Sequence, residues 1–168
     1  MAIRTVQAAA PDELDAVRQL FLEYAESLGW DLSQGGRLAD EIADLPGPYA
    51  PPAGALLLAC VDGEPAGALG LQPVPADVRV PGAGAERFGE LKRLYVRPEH
   101  RRHGVGRALM ERAETEARER GYEQLVLTTS AEMMPLAQRL YDFLGYEPTQ
   151  VYRTDMPWPA IRWLRKEL

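Results

Sequence analysis

Residues 90–107 read Glu90-Leu91-Lys92-Arg93-Leu94-Tyr95-Val96-Arg97-Pro98-Glu99-His100-Arg101-Arg102-His103-Gly104-Val105-Gly106-Arg107. Leu91 to Val96 is an apolar-rich run with the composition of a strand. From Val105 to Arg120 the inward positions Val105, Leu109, Ala113 and Ala117 recur every four residues, which marks a helix, and Gly121 stops it. The connection between them is short and basic, and it ends in two glycines at the helix start. Such a start offers unpaired backbone N–H donors and roughly half a positive charge to an anion. Glycine lets a phosphate approach the backbone, and flanking arginines add charge-assisted contacts. Six Lys and Arg against two Glu make this stretch +4, although the whole chain carries 19 Lys and Arg against 25 Asp and Glu, a net charge of −6. A solvated loop would hold the same charges. Position at a helix start is what points to a polyanionic ligand.

Two nucleotide motifs do not fit. Gly104-Val105-Gly106-Arg107-Ala108 is followed by Leu109, where a dinucleotide fingerprint requires Gly or Ala, and the Gly-Lys-Ser/Thr ending of a P-loop is missing. Upstream, Ala55–Val61 and Pro65–Gln72 are apolar runs joined by Asp62-Gly63, a strong hairpin signal. Ile3 to Ala8 predicts a first strand. Pro11, Asp12 and Glu13 then open a helix with Leu14, Val17, Phe21, Tyr24 and Leu28 on one stripe, ended by Gly29. A shorter helix is expected over Leu38–Leu45, and the Pro- and Gly-rich stretches 46–54 and 73–89 are expected as loops.

Downstream, Gln124–Thr128 reads as a buried strand and Met134–Leu144 as a helix with Pro135 in its first turn. Glu147–Arg153 and Ala160–Lys166 are expected as a final strand pair around a break at Met156-Pro157-Trp158-Pro159. On the helix from Val105, Glu114–Arg118 and Glu116–Arg120 are i,i+4 pairs expected on the wet side. Strands and helices interleave throughout, which predicts one α/β (α+β) domain over residues 1–168 with a mixed sheet.

Composition narrows the function classes. A chain of this length buries about 70% of its unfolded surface and needs no staple. Cys60, the only cysteine, excludes an internal disulfide and a Cys-based zinc site, and its apolar neighbours mark it as a core side chain. Residues 1–6 contain no apolar signal core, and no apolar stretch approaches ~18 residues, so a cytoplasmic protein without membrane partners is expected. Acidity opposes nucleic acid as a partner, as does the lack of aromatics interleaved with the basic patch. It weakly favours a cationic acceptor.

Taken with its flanks, the stretch resembles the GNAT superfamily of acyl-CoA-dependent N-acetyltransferases. Arg101-Arg102-His103-Gly104-Val105-Gly106 matches that family's Arg/Gln-x-x-Gly-x-Gly/Ala signature between a strand and a helix. Glu90 to His100 resembles its fourth strand and following turn. Leu140-Tyr141-Asp142-Phe143-Leu144-Gly145-Tyr146 resembles its Leu-Tyr-x-x-x-Gly-Phe/Tyr segment. The three occur in the family's order and spacing.

The resemblance implies a central twisted mixed sheet of about seven strands flanked by about four helices. Leu91–Val96 would splay from Gln124–Thr128, and acetyl-CoA, as cosubstrate, would lie in the gap. Its pantetheine arm would pair with the backbone of Leu94, Tyr95 and Val96, and its pyrophosphate would sit on Arg101, Arg102, His103, Gly104, Val105, Gly106 and Arg107. The acetyl group would pass by direct attack to a primary amine of a small molecule or peptide.

Such a transfer needs an amine that has lost a proton, donors for the oxyanion and a donor for the departing sulfur. By resemblance Glu90 receives the proton, directly or through water, and Tyr141 serves the sulfur. Backbone N–H of Leu94 or Tyr95 serves the oxyanion. The competing readings are an exposed strand-end acid and a core aromatic. His100 and His103 lack a carboxylate partner, so no metal is expected. A noncatalytic acyl-CoA-binding module is the alternative, against which the presence of both Glu90 and Tyr141 counts. Acceptor contacts are expected from residues 30–37 and the loops 46–54 and 73–89. A homodimer edge formed by Trp158, Trp163 and the last strand is a further expectation.

Overall fold

The computed structural model describes residues 1–82, 87–153 and 158–168. Seven strands, β1 (Ile3–Gln7), β2 (Ala55–Val61), β3 (Glu64–Pro73), β4 (Phe88–Val96), β5 (Gln124–Ser130), β6 (Glu147–Pro148) and β7 (Ile161–Glu167), form one sheet in the order β1-β2-β3-β4-β5-β7-β6. Every neighbouring pair is antiparallel except β4–β5, which is parallel. Helices α1 (Pro11–Ser27) and α2 (Arg37–Ala43) cover one face, and α3 (Val105–Glu119) and α4 (Pro135–Phe143) cover the other.

Local chemistry explains most element ends. Glu13 accepts from the Ala9 and Ala10 amides at 3.0 and 3.1 Å, closing the α1 start that lacks a Ser or Thr cap. Asp62 and Gly63 both have positive φ, the geometry a two-residue hairpin needs. β4 begins three residues ahead of the expected strand, at Phe88. β6 is only two residues long, against the seven expected for 147–153. The expected break at 156–159 and the 73–89 loop fall partly outside the described residues.

Three expectations are corrected. The 46–54 loop contains a helical turn, Gly47–Tyr49, which plants the Tyr49 ring in full burial against Phe21. Gly70 makes room for it, because a Cβ there would stand 2.4 Å from the ring. Second, β7 is not an edge: β5 pairs along its whole length and β6 takes part of the other side. Trp158 is buried within the chain, stacked on Trp30 at 5.6 Å.

Third, Glu114 and Glu116 are buried rather than wet. The i,i+4 spacing is the same for both outcomes; what differs is the tertiary cover. Glu116 accepts from Arg112 and Arg120, which reach on to the Thr5 carbonyl, the Gln7 side chain and the Gly54 carbonyl. This cluster ties α3 to β1 and to the approach to β2. Burial opposes ionisation of Glu116, and the bonds from Arg112 and Arg120 outweigh it, so its pKa is lowered.

Glu116→Ala would leave two half-sheltered guanidinium groups without their anion and is expected to cost about 2–3 kcal/mol. Arg118→Ala removes only a half-exposed partner of Glu114, 3.6 Å away, and is expected to stay within about 0.5 kcal/mol. Urea midpoints of the two variants provide the comparison.

Candidate active site

The parallel seam is short. Phe88, Gly89 and Glu90 pair with Gln124, Leu125 and Val126, and there the pairing stops. β4 nonetheless runs on to Val96 and β5 to Ser130, so the divergence starts at Leu91 rather than involving the whole of Gln124–Thr128. A bulge in β4 accounts for this. Lys92 lies opposite Gly70 and Tyr95 opposite Ala68, so three steps of β4 face two of β3. Arg93 carries the extra step with φ +63°, a left-handed conformation that is costly for a side chain of this kind.

A buried ion pair holds it there. The Arg93 guanidinium donates twice to the Glu41 carboxylate of α2, at 3.1 and 3.0 Å, and Tyr49 donates to the same carboxylate. β5 is meanwhile held by β7 on its other side. The strands part, leaving a gap lined by residues from both faces of the sheet.

Beyond β4 the chain makes a helical turn, Pro98–His100, and enters α3 through Gly104, whose φ of +88° suits glycine. Among the described residues, the backbone N–H groups of residues 102–107 meet no protein acceptor. Six consecutive free donors at a helix start are the arrangement that can receive an anion. The basic side chains are more committed than their count implied. Arg97 grips Glu23 and the Pro65 carbonyl, Arg107 pairs with Glu111, and Arg101 donates to the Val96 carbonyl at 2.8 Å. The Val96 carbonyl is therefore already engaged. Exposed Arg102 and His103 flank the donors, while the Val105 side chain is core.

Gly106 also has a packing role. A Cβ there would meet Leu140 of α4 at 3.2 Å and Val96 at 3.7 Å. Its lack of a side chain lets α4 and the end of β4 pack close to the start of α3.

Tyr141 lines the gap from the α3–α4 side, buried, with its ring edge-on to Tyr146 at 6.0 Å. Burial holds its phenol pKa above the ordinary value. Thr129 lines the same gap; alternation with Leu125 and Leu127 puts it on that face. Its hydroxyl is buried without a hydrogen-bond partner.

On the opposite face, Glu90 is 1% exposed. Arg153 reaches its carboxylate at 2.8 Å with both Nε and Nη2, and Gln72 donates at 3.1 Å. Glu90 is thus no exposed strand-end acid. Lys92, Tyr24 and Trp158 complete this wall. Among the described residues, no group of three or more His, Cys, Asp or Glu is placed to hold a metal ion, and no helix is long and apolar enough to cross a membrane.

Sequence reasoning missed Lys92, Arg153 and Trp158. A lysine between Leu91 and Leu94 in a central strand was the available signal, because charges rarely sit there without a task. Arg153 and Trp158 flank a segment with no periodic pattern, and nothing in the sequence assigned them to the gap. Of the expected acceptor segments, Trp30 takes part through its stack on Trp158; no described residue of the 46–54 and 73–89 loops lines the gap.

Comparison with known proteins places this geometry. A family model described as "Acetyltransferase (GNAT) family" matches residues 14–146. An uncharacterized N-acetyltransferase of Schizosaccharomyces pombe is 34% identical over 159 residues, spanning 94% of this chain and 90% of the relative. N-acetyltransferase 8B of Rattus norvegicus is 30% identical over 142 residues, spanning 84% of this chain and 61% of the relative. Among solved structures, an acetyltransferase of GNAT family from Staphylococcus aureus superposes with a TM-score of 0.73 at 17% identity, covering 99% of each chain. A Salmonella typhimurium protein solved with its cofactor acetyl-CoA superposes at 0.70 with 18% identity, covering 99% of this chain and 94% of the other.

Proposed function

Because this chain belongs to the GNAT acetyltransferase family, we propose that it moves an acetyl group from acetyl-CoA to a primary amine by direct attack in a ternary complex. The observation that carries this reading is the gap between β4 and β5, which joins six free amides at one end to Tyr141 at its flank.

The residues fit such a cosubstrate. Free N–H groups of residues 102–107 match a pyrophosphate, with Arg102 adding charge. The unpaired edge of β4, at Leu94 and Tyr95, matches the amides of an extended arm, and the orphaned Thr129 hydroxyl supplies one more polar contact. When bound, acetyl-CoA supplies a thioester carbon to which the amine nitrogen bonds as the carbon–sulfur bond breaks.

The chain's own groups then do three things. Backbone N–H of Leu94 or Tyr95 faces the charge that develops on the carbonyl oxygen. Glu90 receives the ammonium proton through a water, since a carboxylate has about four acceptor sites and the hydrogen bonds from Arg153 Nη2 and Gln72 use two of them, both on Oε2. Tyr141 meets the departing sulfur. Its raised pKa keeps the phenol protonated, and the mismatch with a thiol near ~8.5 means that it donates a hydrogen bond to the sulfur without giving up its proton, while solvent supplies the final proton.

Acetyl-CoA at a hundred times its dissociation constant is expected to stabilise the fold by about 2.7 kcal/mol. In a domain of this size that is a rise in melting temperature of about 5–10 °C. Release of free thiol on adding an amine panel distinguishes transfer from mere binding. An unchanged melting temperature at millimolar cosubstrate would remove the assignment.

A further inference from the structure

The acceptor side of the gap has an unbalanced charge. Its ionic groups fall into two satisfied pairs, Arg93 with Glu41 and Arg153 with Glu90. Lys92 is left over. It lines the gap, and among the described residues its ammonium makes no hydrogen bond or ion pair. Burial, and next the charge of Arg93, pull its pKa down to about 8, against the opposing pull of the Glu90 and Glu41 carboxylates, which Arg153 and Arg93 already engage.

A second donor stands on the same wall. The Trp158 indole N–H is buried without a partner, its ring fixed by the stack on Trp30, which in turn meets Tyr24 of α1 edge-on at 5.9 Å. An unpaired buried indole N–H costs about 1–3 kcal/mol, and with a half-buried, unpartnered ammonium on the same wall it calls for acceptor oxygens from a ligand.

Resting on the acetyl-transfer reading, we infer that the acceptor amine also carries a carboxylate, held by Lys92 Nζ and Trp158 Nε1 on the α1 side of the gap. A carboxylate offers acceptor sites only, which suits an ammonium and an indole N–H. The local charge decides against the cationic acceptor that the chain's net acidity favoured. Surface charge far from the site is screened within about 8–10 Å, whereas Lys92 is inside the site.

The test uses matched amines: leucine against 3-methylbutylamine, phenylalanine against 2-phenylethylamine, and leucylglycine against leucylglycinamide. The carboxylate-bearing member of at least one pair is expected to have a kcat/KM about 10- to 100-fold higher, mostly through KM. Lys92→Gln is expected to erase that ratio and Lys92→Arg to restore much of it. A preference confined to the dipeptide pair would support the inference with the carboxylate farther from the amine.

Tryptophan fluorescence titrations with the same amines, in the presence of coenzyme A, read binding without transfer and are expected to give the same ranking. Equal affinities within every pair, or a preference that survives Lys92→Gln, would overturn the inference. If no amine is acetylated, the transfer reading falls, and the titrations still decide the carboxylate site.

Discussion

Replacing Tyr141 with phenylalanine is expected to lower turnover by about ten- to a thousandfold while leaving coenzyme A affinity nearly unchanged. The phenol's task arises only as sulfur acquires charge, so its loss falls on kcat rather than on binding. Packing separates this outcome from simple damage. The Tyr141 ring is buried and meets Tyr146 edge-on at 61°, and phenylalanine keeps the same ring in the same place. The melting temperature should barely move. Burial holds the phenol protonated across the working range, so the deficit should be nearly the same at every pH tested. Wild-type turnover in the variant, measured with one good acceptor amine, would return Tyr141 to the role of a packing residue.

Glu41→Ala is expected to cost about 3–5 kcal/mol of stability and to weaken acetyl-CoA binding as well. The side chain is only 10% exposed and faces an Arg93 side chain exposed to 6%, so removing the carboxylate strands a buried guanidinium and the Tyr49 hydroxyl together. Arg93 is also the left-handed residue of the bulge, so the pair fixes the bend that opens the gap. Burial opposes ionisation of Glu41, and Arg93 more than compensates, leaving its folded pKa below the ordinary carboxylate value. The pair's contribution is therefore complete above pH ~4.3 and fades as pH falls through the lowered folded value. Urea denaturation from pH 7 to pH 3 should show wild type losing stability over that acid range more steeply than Glu41→Gln. Parallel curves would mean that Glu41 titrates alike in the folded and unfolded chain.

What the sequence made legible was local. The Asp62-Gly63 hairpin, the glycine stop after α3 and the strand–loop–helix order around residues 90–107 depend on residues a few positions apart, and all three are present. The features that shape the gap depend on long separations. Glu41 and Arg93 are 52 positions apart, Glu90 and Arg153 are 63 apart, and neither pairing leaves a periodic trace. Spacing also cannot tell a solvated i,i+4 pair from a buried one, which is how Glu116 was misplaced on the wet side. Gly106 is ambiguous for a related reason: a glycine required by a helix neighbour and one required by a ligand look identical in one sequence. Tyr141 and Glu90 do lie at the gap, on opposite faces of it.

The brevity of the parallel seam has a consequence for how this protein avoids its own kind. Two antiparallel blades, β1 to β4 and β5 to β7 with β6, are riveted at three register positions, and past the rivet each blade ends in a bare rim of backbone donors and acceptors. Elsewhere such rims invite a neighbouring molecule to add a strand and start an aggregate, and proteins blunt them with charges, prolines or bulges. Here the rims face each other, with helices packed over both faces of the sheet. The slit between them is closed to a folded protein, and on the proposed function the guest that pairs with the rims is the extended, amide-bearing arm of the cosubstrate.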